Sequence, residues 1–208
     1  MKTIQYDDEF TWIPASKPGD SPTTTSKFGG LPWLSADESW PACELCEQPM
    51  QLFVQINLSE LEDKSGNHPF GDGLLQFFHC SLEACGDKGY EPFPAHQMKQ
   101  VRIVYPDGVG KVCQLPPFAT SVAIRHVTKW KRVVENDEPI QADKVGGEPV
   151  WIQSPEYPKC PECDQSMEFI LQISDGPNLN WAWGDAGAAY IFRCDTHTEK
   201  LAMLWQCH

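Results

Sequence analysis

The sequence has no long hydrophobic segment. Among its 208 residues no apolar run approaches the roughly 18 residues that a transmembrane helix needs. The first residues, MKTIQYDDEF, contain neither the apolar stretch nor the small-residue cleavage site of a secretory signal. We therefore expect a soluble globular protein that is not in a membrane and not exported, with the cytoplasm as its location.

Positive charge is also scarce. The chain has 16 Lys and Arg residues against 29 Asp and Glu residues, a formal net charge of -13. Such a charge repels phosphate backbones and favours encounters with basic proteins, so nucleic acid is not an expected partner. The one basic cluster, Arg125 to Arg132, encloses Trp130 and has the pattern of a nucleic-acid contact. Given the acidic total, we interpret it as pairing with carboxylates on adjacent strands.

Catalytic motifs are missing as well. The sequence contains no H-E-x-x-H, no G-x-S-x-G and no phosphate-cradling glycine loop. His68, His96, His126 and His208 have no partner at a spacing that suggests a catalytic set. The protein is therefore not predicted to be an enzyme.

Cysteine, in contrast, is abundant and unevenly placed. In a chain without a secretory signal, closely spaced cysteines indicate metal ligands before disulfides. The nine cysteines are the pairs Cys43/Cys46, Cys80/Cys85 and Cys160/Cys163, followed by Cys194 and Cys207, with Cys113 isolated between the pairs.

The cysteine pairs belong to an internal repeat. At a shift of 117 positions, KFGGLP from Lys27 matches KVGGEP from Lys144 at four of six positions. The same shift aligns PACELCEQPMQLFVQI with PKCPECDQSMEFILQI at seven of sixteen positions, including both cysteines. At a shift of 114, GLLQFFHC aligns with GAAYIFRC, each after a Gly-Asp turn. Tandem duplication is the economical explanation.

Each repeat predicts one unit of β-structure. A glycine turn, a C-x2-C knuckle, an apolar β-rich run (LFVQI or FILQI) and a second run (LLQFF or AAYIF) follow one another. Residues 101–105 and 121–134 suggest further strands, and only residues 59–64 and the stretch before Val101 could form a short helix. We predict a mainly β (β-rich α+β), internally duplicated fold. Its parts are an irregular segment 1–26, a first repeat with connecting strands 27–143, and a second repeat 144–208 packed with the first as one globular unit.

The repeat also predicts two zinc sites. A C-x2-C turn supplies two tetrahedral ligands and a distant turn supplies two more. The proposed sets are Cys43, Cys46, Cys80 and Cys85 in the first half, and Cys160, Cys163, Cys194 and His197 in the second. Both would be closed, structural sites holding two zinc ions in total. His79 or Cys207 remains an alternative ligand, and Cys113 is interpreted as a buried apolar residue.

These motifs resemble a known family. K-x-G-G-x-P-x-[WL], C-x2-C-x3-M-x4-Q-[IV] and the ending N-x-x-W-x-W-G-D-A-G, F-R-C, L-W-Q-C are similar to the YwqG-like proteins of bacteria over residues 25–208. The resemblance implies a duplicated β-fold distantly related to the programmed cell death 2 proteins, which are chaperones of a basic ribosomal protein. Some YwqG-like proteins lie in toxin gene neighbourhoods, which implies binding of an immunity type.

Two functional hypotheses follow. The first is a non-catalytic, zinc-stabilised protein-binding module, acting as a chaperone or neutralising partner of a basic protein. The alternative is a metal-dependent enzyme in which Cys85 or His197 leaves a zinc coordination position open.

Overall fold

The computed structural model describes residues 10–63, 66–82, 85, 99–108, 110–118, 120–134 and 140–208. The regular structure in these parts is almost entirely β, which confirms the mainly β prediction. The strands are β1 (Phe10–Pro18), β2 (Lys27–Phe28), β3 (Gln51–Asn57), β4 (Leu74–His79), β5 (Lys99–Val104), β6 (Arg125–Val134), β7 (Lys144–Gly146), β8 (Glu168–Ser174), β9 (Ala188–Arg193) and β10 (Leu201–Gln206). A 3-10 turn at Leu58–Glu60 lies where a short helix was expected.

All ten strands form one antiparallel sheet with the order β10-β9-β8-β7-β1-β6-β2-β3-β4-β5. The two edge strands, β5 and β10, contact each other, so the sheet curls around its interior. No helix in the described segments is long and apolar enough to cross a bilayer.

The two ends of this sheet are built alike. Strands β3 and β8 are each seven residues long and pair with β4 and β9 respectively. Both pairings contain an irregularity at the same place, between Leu52 and Val54 and between Phe169 and Leu171. Isolated bridges close both knuckles at matching positions, Ala42 with Pro49 and Lys159 with Ser166. The sequence shift of 117 therefore coincides with equivalent backbone geometry.

A single core lies against both ends of the sheet. Alternate residues of a strand point to opposite faces, so β4 sends Leu75 and Phe77 to this core and Phe78 to the other side. The shared core includes Phe53 from the first half and Ile191 from the second. Two smaller clusters, each built around a knuckle, lie apart from it. Each cysteine group thus has its own small apolar core.

The lysine of the repeated K-x-G-G-x-P motif is fully buried in both halves, as Lys27 and Lys144. The Nζ of Lys27 donates to Asp20 Oδ1 at 2.7 Å and to the carbonyl oxygens of Ser21 and Leu31 at 2.6 and 3.2 Å. These acceptors compensate the cost of burying the ammonium group. Burial lowers the pKa of Lys27, while the bond to Asp20 opposes that shift.

The glycine that follows in the motif is required sterically. Gly29 has a φ of 60°, and a Cβ there would lie 2.5 Å from the carbonyl oxygen of Ala123. This close approach lets the turn after β2 pack against the chain that leads into β6.

The N-terminal region differs from the expectation of an irregular segment over residues 1–26. Residues 10–18 form β1, which lies in the middle of the sheet and pairs with β6 along its whole length. Trp12 is 4% exposed and packs edge-on against Phe70, with ring centroids 5.6 Å apart. The three prolines and the glycine of residues 1–26 obscured the strand, because proline at an interior strand position is uncommon.

A buried polar network joins β1 and β6 to the second half. Asp143 accepts hydrogen bonds from the backbone N–H of Ser174 at 2.8 Å and from Asn178 Nδ2 at 2.7 Å. Asn178 Oδ1 in turn accepts from the Ser16 hydroxyl, which accepts from Arg125 Nε at 2.8 Å. Burial raises the pKa of Asp143 to about 6, although its two hydrogen bonds oppose that shift. Asp143 is therefore a source of pH-dependent stability.

Stability should depend on the protonation of Asp143. Because the pKa is higher in the folded state than the ordinary value of 3.8, the folded protein binds this proton more tightly than the unfolded chain. The stabilisation that protonated Asp143 contributes is fully present below pH 3.8 and is lost as the pH rises through about 6. Between pH 6 and pH 5, the free energy of unfolding of the wild type should rise by about 1 kcal/mol relative to Asp143→Asn.

Denaturant titrations of both proteins at several pH values measure this difference, and other titrating groups cancel in the comparison. A difference that stays constant between pH 7.5 and pH 5 would contradict the proposed burial of the Asp143 charge.

Candidate metal centres

The first knuckle brings together the four cysteines of the first predicted set. The Sγ atoms of Cys43, Cys46, Cys80 and Cys85 all lie within 4.8 Å of one another. Cys43 and Cys85 are 3.9 Å apart, and Cys46 and Cys80 are 3.8 Å apart. The first two cysteines precede β3 and the third follows β4, so the antiparallel pairing of these strands places the two turns side by side. The group can hold a metal ion.

The second knuckle forms an equivalent group with one histidine. The ligand atoms of Cys160, Cys163, Cys194 and His197 also lie within 4.8 Å of one another. His197 Nδ1 is 3.7 Å from Cys160 Sγ and 3.8 Å from Cys194 Sγ. Cys163 and Cys194 are 3.7 Å apart. Strands β8 and β9 position these residues as β3 and β4 do in the first half.

Both knuckles have the same tight turn. The backbone N–H of Glu47 donates to the carbonyl of Cys43, and that of Asp164 donates to the carbonyl of Cys160, both at 2.8 Å. Glu47 and Asp164 adopt left-handed conformations with φ values of 59° and 57°. A non-glycine residue with positive φ is uncommon and persists where surrounding contacts hold it. Here the turn directs both cysteine side chains of C-x2-C to one point.

The protein shifts the thiol pKa values in opposite directions. Burial and the neighbouring thiols raise the pKa of Cys80 to about 11, although a hydrogen bond from the backbone N–H of Leu82 opposes that shift. Burial acts the same way on Cys160, but hydrogen bonds from the backbone N–H groups of Glu162 and Cys163 and from neighbouring thiols lower its pKa to about 7. A metal ion binds thiolates and displaces their protons, so a bound cation would stabilise the crowded group of four sulfurs.

Apolar side chains surround each group. The first cluster contains Leu34, Met50, Leu52 and Phe78 beside its buried cysteines. The second contains Met167, Tyr190, Phe192 and Leu204, and Trp151 stacks on Phe192 with centroids 6.0 Å apart. Such a shell limits the access of solvent to the buried cysteines, while Cys46, Cys163 and His197 remain half-buried. Each group of potential ligands is therefore packed against its own small apolar core.

The alternative ligands lie elsewhere. The ring of His79 is 5.0 Å from that of Phe53 and 5.8 Å from that of Trp181, so it belongs to the aromatic part of the shared core. Cys207 lies against Gly184, where a Cβ would be 2.8 Å from its Sγ. Cys113 is half-buried at the edge of the first small core, where burial raises the pKa of its thiol. None of the three belongs to either ligand group.

One contact at the second site had no signal in the sequence. Lys200 Nζ lies 2.8 Å from Glu162 Oε1 and so connects the start of β10 to the knuckle. An exposed ion pair of this kind adds little free energy, but it fixes the relative position of the two turns that carry the ligands. The pair depends on the β9–β10 connection and could not be inferred from residue spacing.

Comparison with known proteins gives a short stretch of similarity and a family. A segment of 36 residues is 44% identical to a protein named Uncharacterized protein YpfL from Salmonella typhimurium (strain LT2). The likeness covers 17% of this chain and only 8% of that protein. The family model described as Domain of unknown function (DUF1963) matches residues 26–143, which contain the whole first knuckle. Because this match covers more than half of the 208 residues, the chain belongs to the DUF1963 family.

Proposed function

We propose that this protein is a non-catalytic binding module, stabilised by two structural zinc ions, that acts as a chaperone or neutralising partner of a basic protein. The observation that carries the proposal is that both ligand groups contain four convergent donors. A four-coordinate zinc bound by four protein ligands has no position for water or substrate. The sites then stabilise the fold, and function resides on the surface.

Zinc is the metal that the donor chemistry favours. The first group offers four thiolates, and the second offers three thiolates and an imidazole. Soft ligands in a tetrahedral arrangement select zinc over magnesium or calcium, which prefer oxygen. The reduced thiols that such sites need are consistent with a cytoplasmic location.

Charge supports a basic partner. The formal charge of the chain is -13. Four thiolates with zinc add -2 and three thiolates with zinc add -1, so the loaded protein carries about -16. Exposed acidic residues occupy the tips of both knuckles, Glu44 and Glu47 on the first and Glu162 and Asp164 on the second. A negative field of this size accelerates association with a cationic protein.

Duplication is part of the same proposal. The repeated motifs, the matching irregularities in β3 and β8 and the two knuckles support an origin of both halves from one ancestral unit. A specific relationship to the YwqG-like proteins, and through them to the programmed cell death 2 proteins, would account for the binding role.

Affinity capture from the native cell tests the partner. At low ionic strength the bait should recover a basic protein, and raising the salt to 0.5 M should release it because screening weakens the attraction. Glu44→Gln combined with Glu47→Gln should reduce the recovery, while Gln153→Ala, at an exposed neutral position, serves as a control. Recovery of no basic protein, or capture that is indifferent to salt, would contradict the proposal.

Cobalt substitution tests the closed coordination. Absorption spectra should show tetrahedral sulfur-rich sites that do not change when azide or cyanide is added at concentrations that leave the metal bound. A spectral change on adding these ligands would instead favour the hypothesis of an enzyme with an open position.

A further inference from the structure

Along most of the outer edge of β6, the described residues provide no pairing strand. Strand β6 lies between β1 and β2, but β2 pairs only with Arg125 and His126. One further hydrogen bond runs from the Val127 N–H to the Ser26 carbonyl. From Thr128 to Val134, no strand among the described residues pairs with this edge. This stretch of seven residues is about 23 Å long and, apart from Arg132, which has contacts of its own, offers backbone donors and acceptors to a partner.

Strands β1 and β6 carry much of the positive charge of an otherwise acidic protein. Strands β1 and β6 contain no Asp or Glu, but they carry five of the 16 Lys and Arg residues of the chain. Lys129 and Lys131 are exposed and form no ion pair within the described segments. Arg125, which was expected to pair with a carboxylate, instead binds the hydroxyl and carbonyl oxygens of Ser16.

The edge is held in place by its neighbours. Trp130 packs against the shared core, and its indole N–H donates to Glu60 Oε2 at 3.1 Å. On the other side, β1 pairs with β6 from Phe10 to Pro18. A strand fixed in this way loses little conformational entropy when a further strand is added to it.

These properties select one kind of partner. A polypeptide in extended conformation can pair its backbone with an open edge, which a nucleic acid cannot. Acidic side chains complement Lys129 and Lys131, and a second copy of β6 would bring lysine against lysine. Lysine on an open edge also disfavours pairing with uncharged strands, so the edge discriminates among peptides.

We propose that the β6 edge from Thr128 to Val134 binds an extended acidic segment of a partner protein by strand addition. The surface is distinct from both cysteine groups and from the acidic knuckle tips. The proposal is independent of the proposed function, because neither bound metal nor a basic partner enters it.

Fluorescence anisotropy with the purified full-length chain tests this site. The probe is a labelled heptapeptide that alternates Glu and Val, and the controls are the corresponding Lys and Val peptide and a seven-nucleotide oligothymidylate. The acidic peptide should bind and both controls should not. Lys129→Gln combined with Lys131→Gln should weaken binding about five- to thirtyfold, given the usual strength of two cross-strand charge pairs. Lys159→Gln, at an exposed lysine on the second knuckle, should leave it unchanged.

Backbone pairing is tested separately with two versions of the peptide, methylated at the backbone nitrogens of odd or of even residues. At least one version should lose binding, because methylation removes the N–H groups that face the edge. Equal binding by both methylated peptides, by the lysine variant, or by the oligonucleotide in place of the peptide would overturn the proposal.

Discussion

Substituting serine for Cys43 or for Cys160 is expected to reduce the metal content from two zinc ions per chain to one and to unfold the small core around the affected knuckle. Each cysteine is 1% exposed and lies within a ligand group and a small apolar cluster. Structural zinc sites have apparent binding free energies of about 10–16 kcal/mol, comparable to the whole stability of a typical domain. The double variant should therefore lose cooperative folding.

Elemental analysis and thermal unfolding, with and without a chelator, measure both effects. Cys113→Ser and Cys207→Ser are the matched controls, because these cysteines lie outside the ligand groups. Both controls should retain two zinc ions. His197→Cys should also retain two, because the new thiolate replaces the imidazole as the fourth ligand. Wild-type protein purified without chelator that contains no metal would contradict the zinc proposal.

Replacing Gly187 with alanine should destabilise the protein by more than about 4 kcal/mol or prevent folding. A Cβ at this position would lie 1.9 Å from the carbonyl oxygen of Trp183 and 2.6 Å from that of Gln206. Both atoms belong to the backbone, so neither can rotate away as a side chain would. Gly187 immediately precedes β9, whose last residue is followed by Cys194, and a displaced β9 would move that ligand.

Gly176→Ala provides the control within the same connection between β8 and β9. The nearest atom to a Cβ at Gly176 is 3.9 Å away, which is ordinary contact distance. This variant should change the free energy of unfolding by less than about 1 kcal/mol. Denaturant titration compares the two variants, and similar stabilities would show that the backbone near Gly187 relaxes more easily than the structure indicates.

The ligand groups were predictable because their information is local and repeated. A C-x2-C turn places two thiols together whatever the surrounding fold. If the strand that follows this turn pairs with the strand that precedes a later Cys, that Cys lies beside the turn. The alignment of LFVQI with FILQI and of LLQFF with AAYIF marked those strands, and β3, β8, β4 and β9 lie there. The exclusion of Cys207 needed coordinates, because its spacing from Cys194 does not show which way the chain turns.

The central strand was harder to predict because its pattern is misleading. β1 contains Pro14 and Pro18, which obscure it, whereas its partner β6 lies within residues 121–134, where a strand was predicted. Their places in the sheet depend on pairings with residues more than 100 positions away in the chain. Which distant strands pair depends on all the alternative strand pairings that the chain could form. A local sequence pattern carries no information about those alternatives.

Local residue patterns alone predicted a β-rich chain with repeated motifs and two groups of potential metal ligands, because those features recur within short segments. The central position of β1 and β6, the single core and the buried hydrogen bonds of Asp143 became visible only in the folded chain. The spacing of close cysteines and the formation of strands depend on residues that are neighbours in the chain. Strand order and the burial of a charge follow instead from which distant surfaces exclude water together.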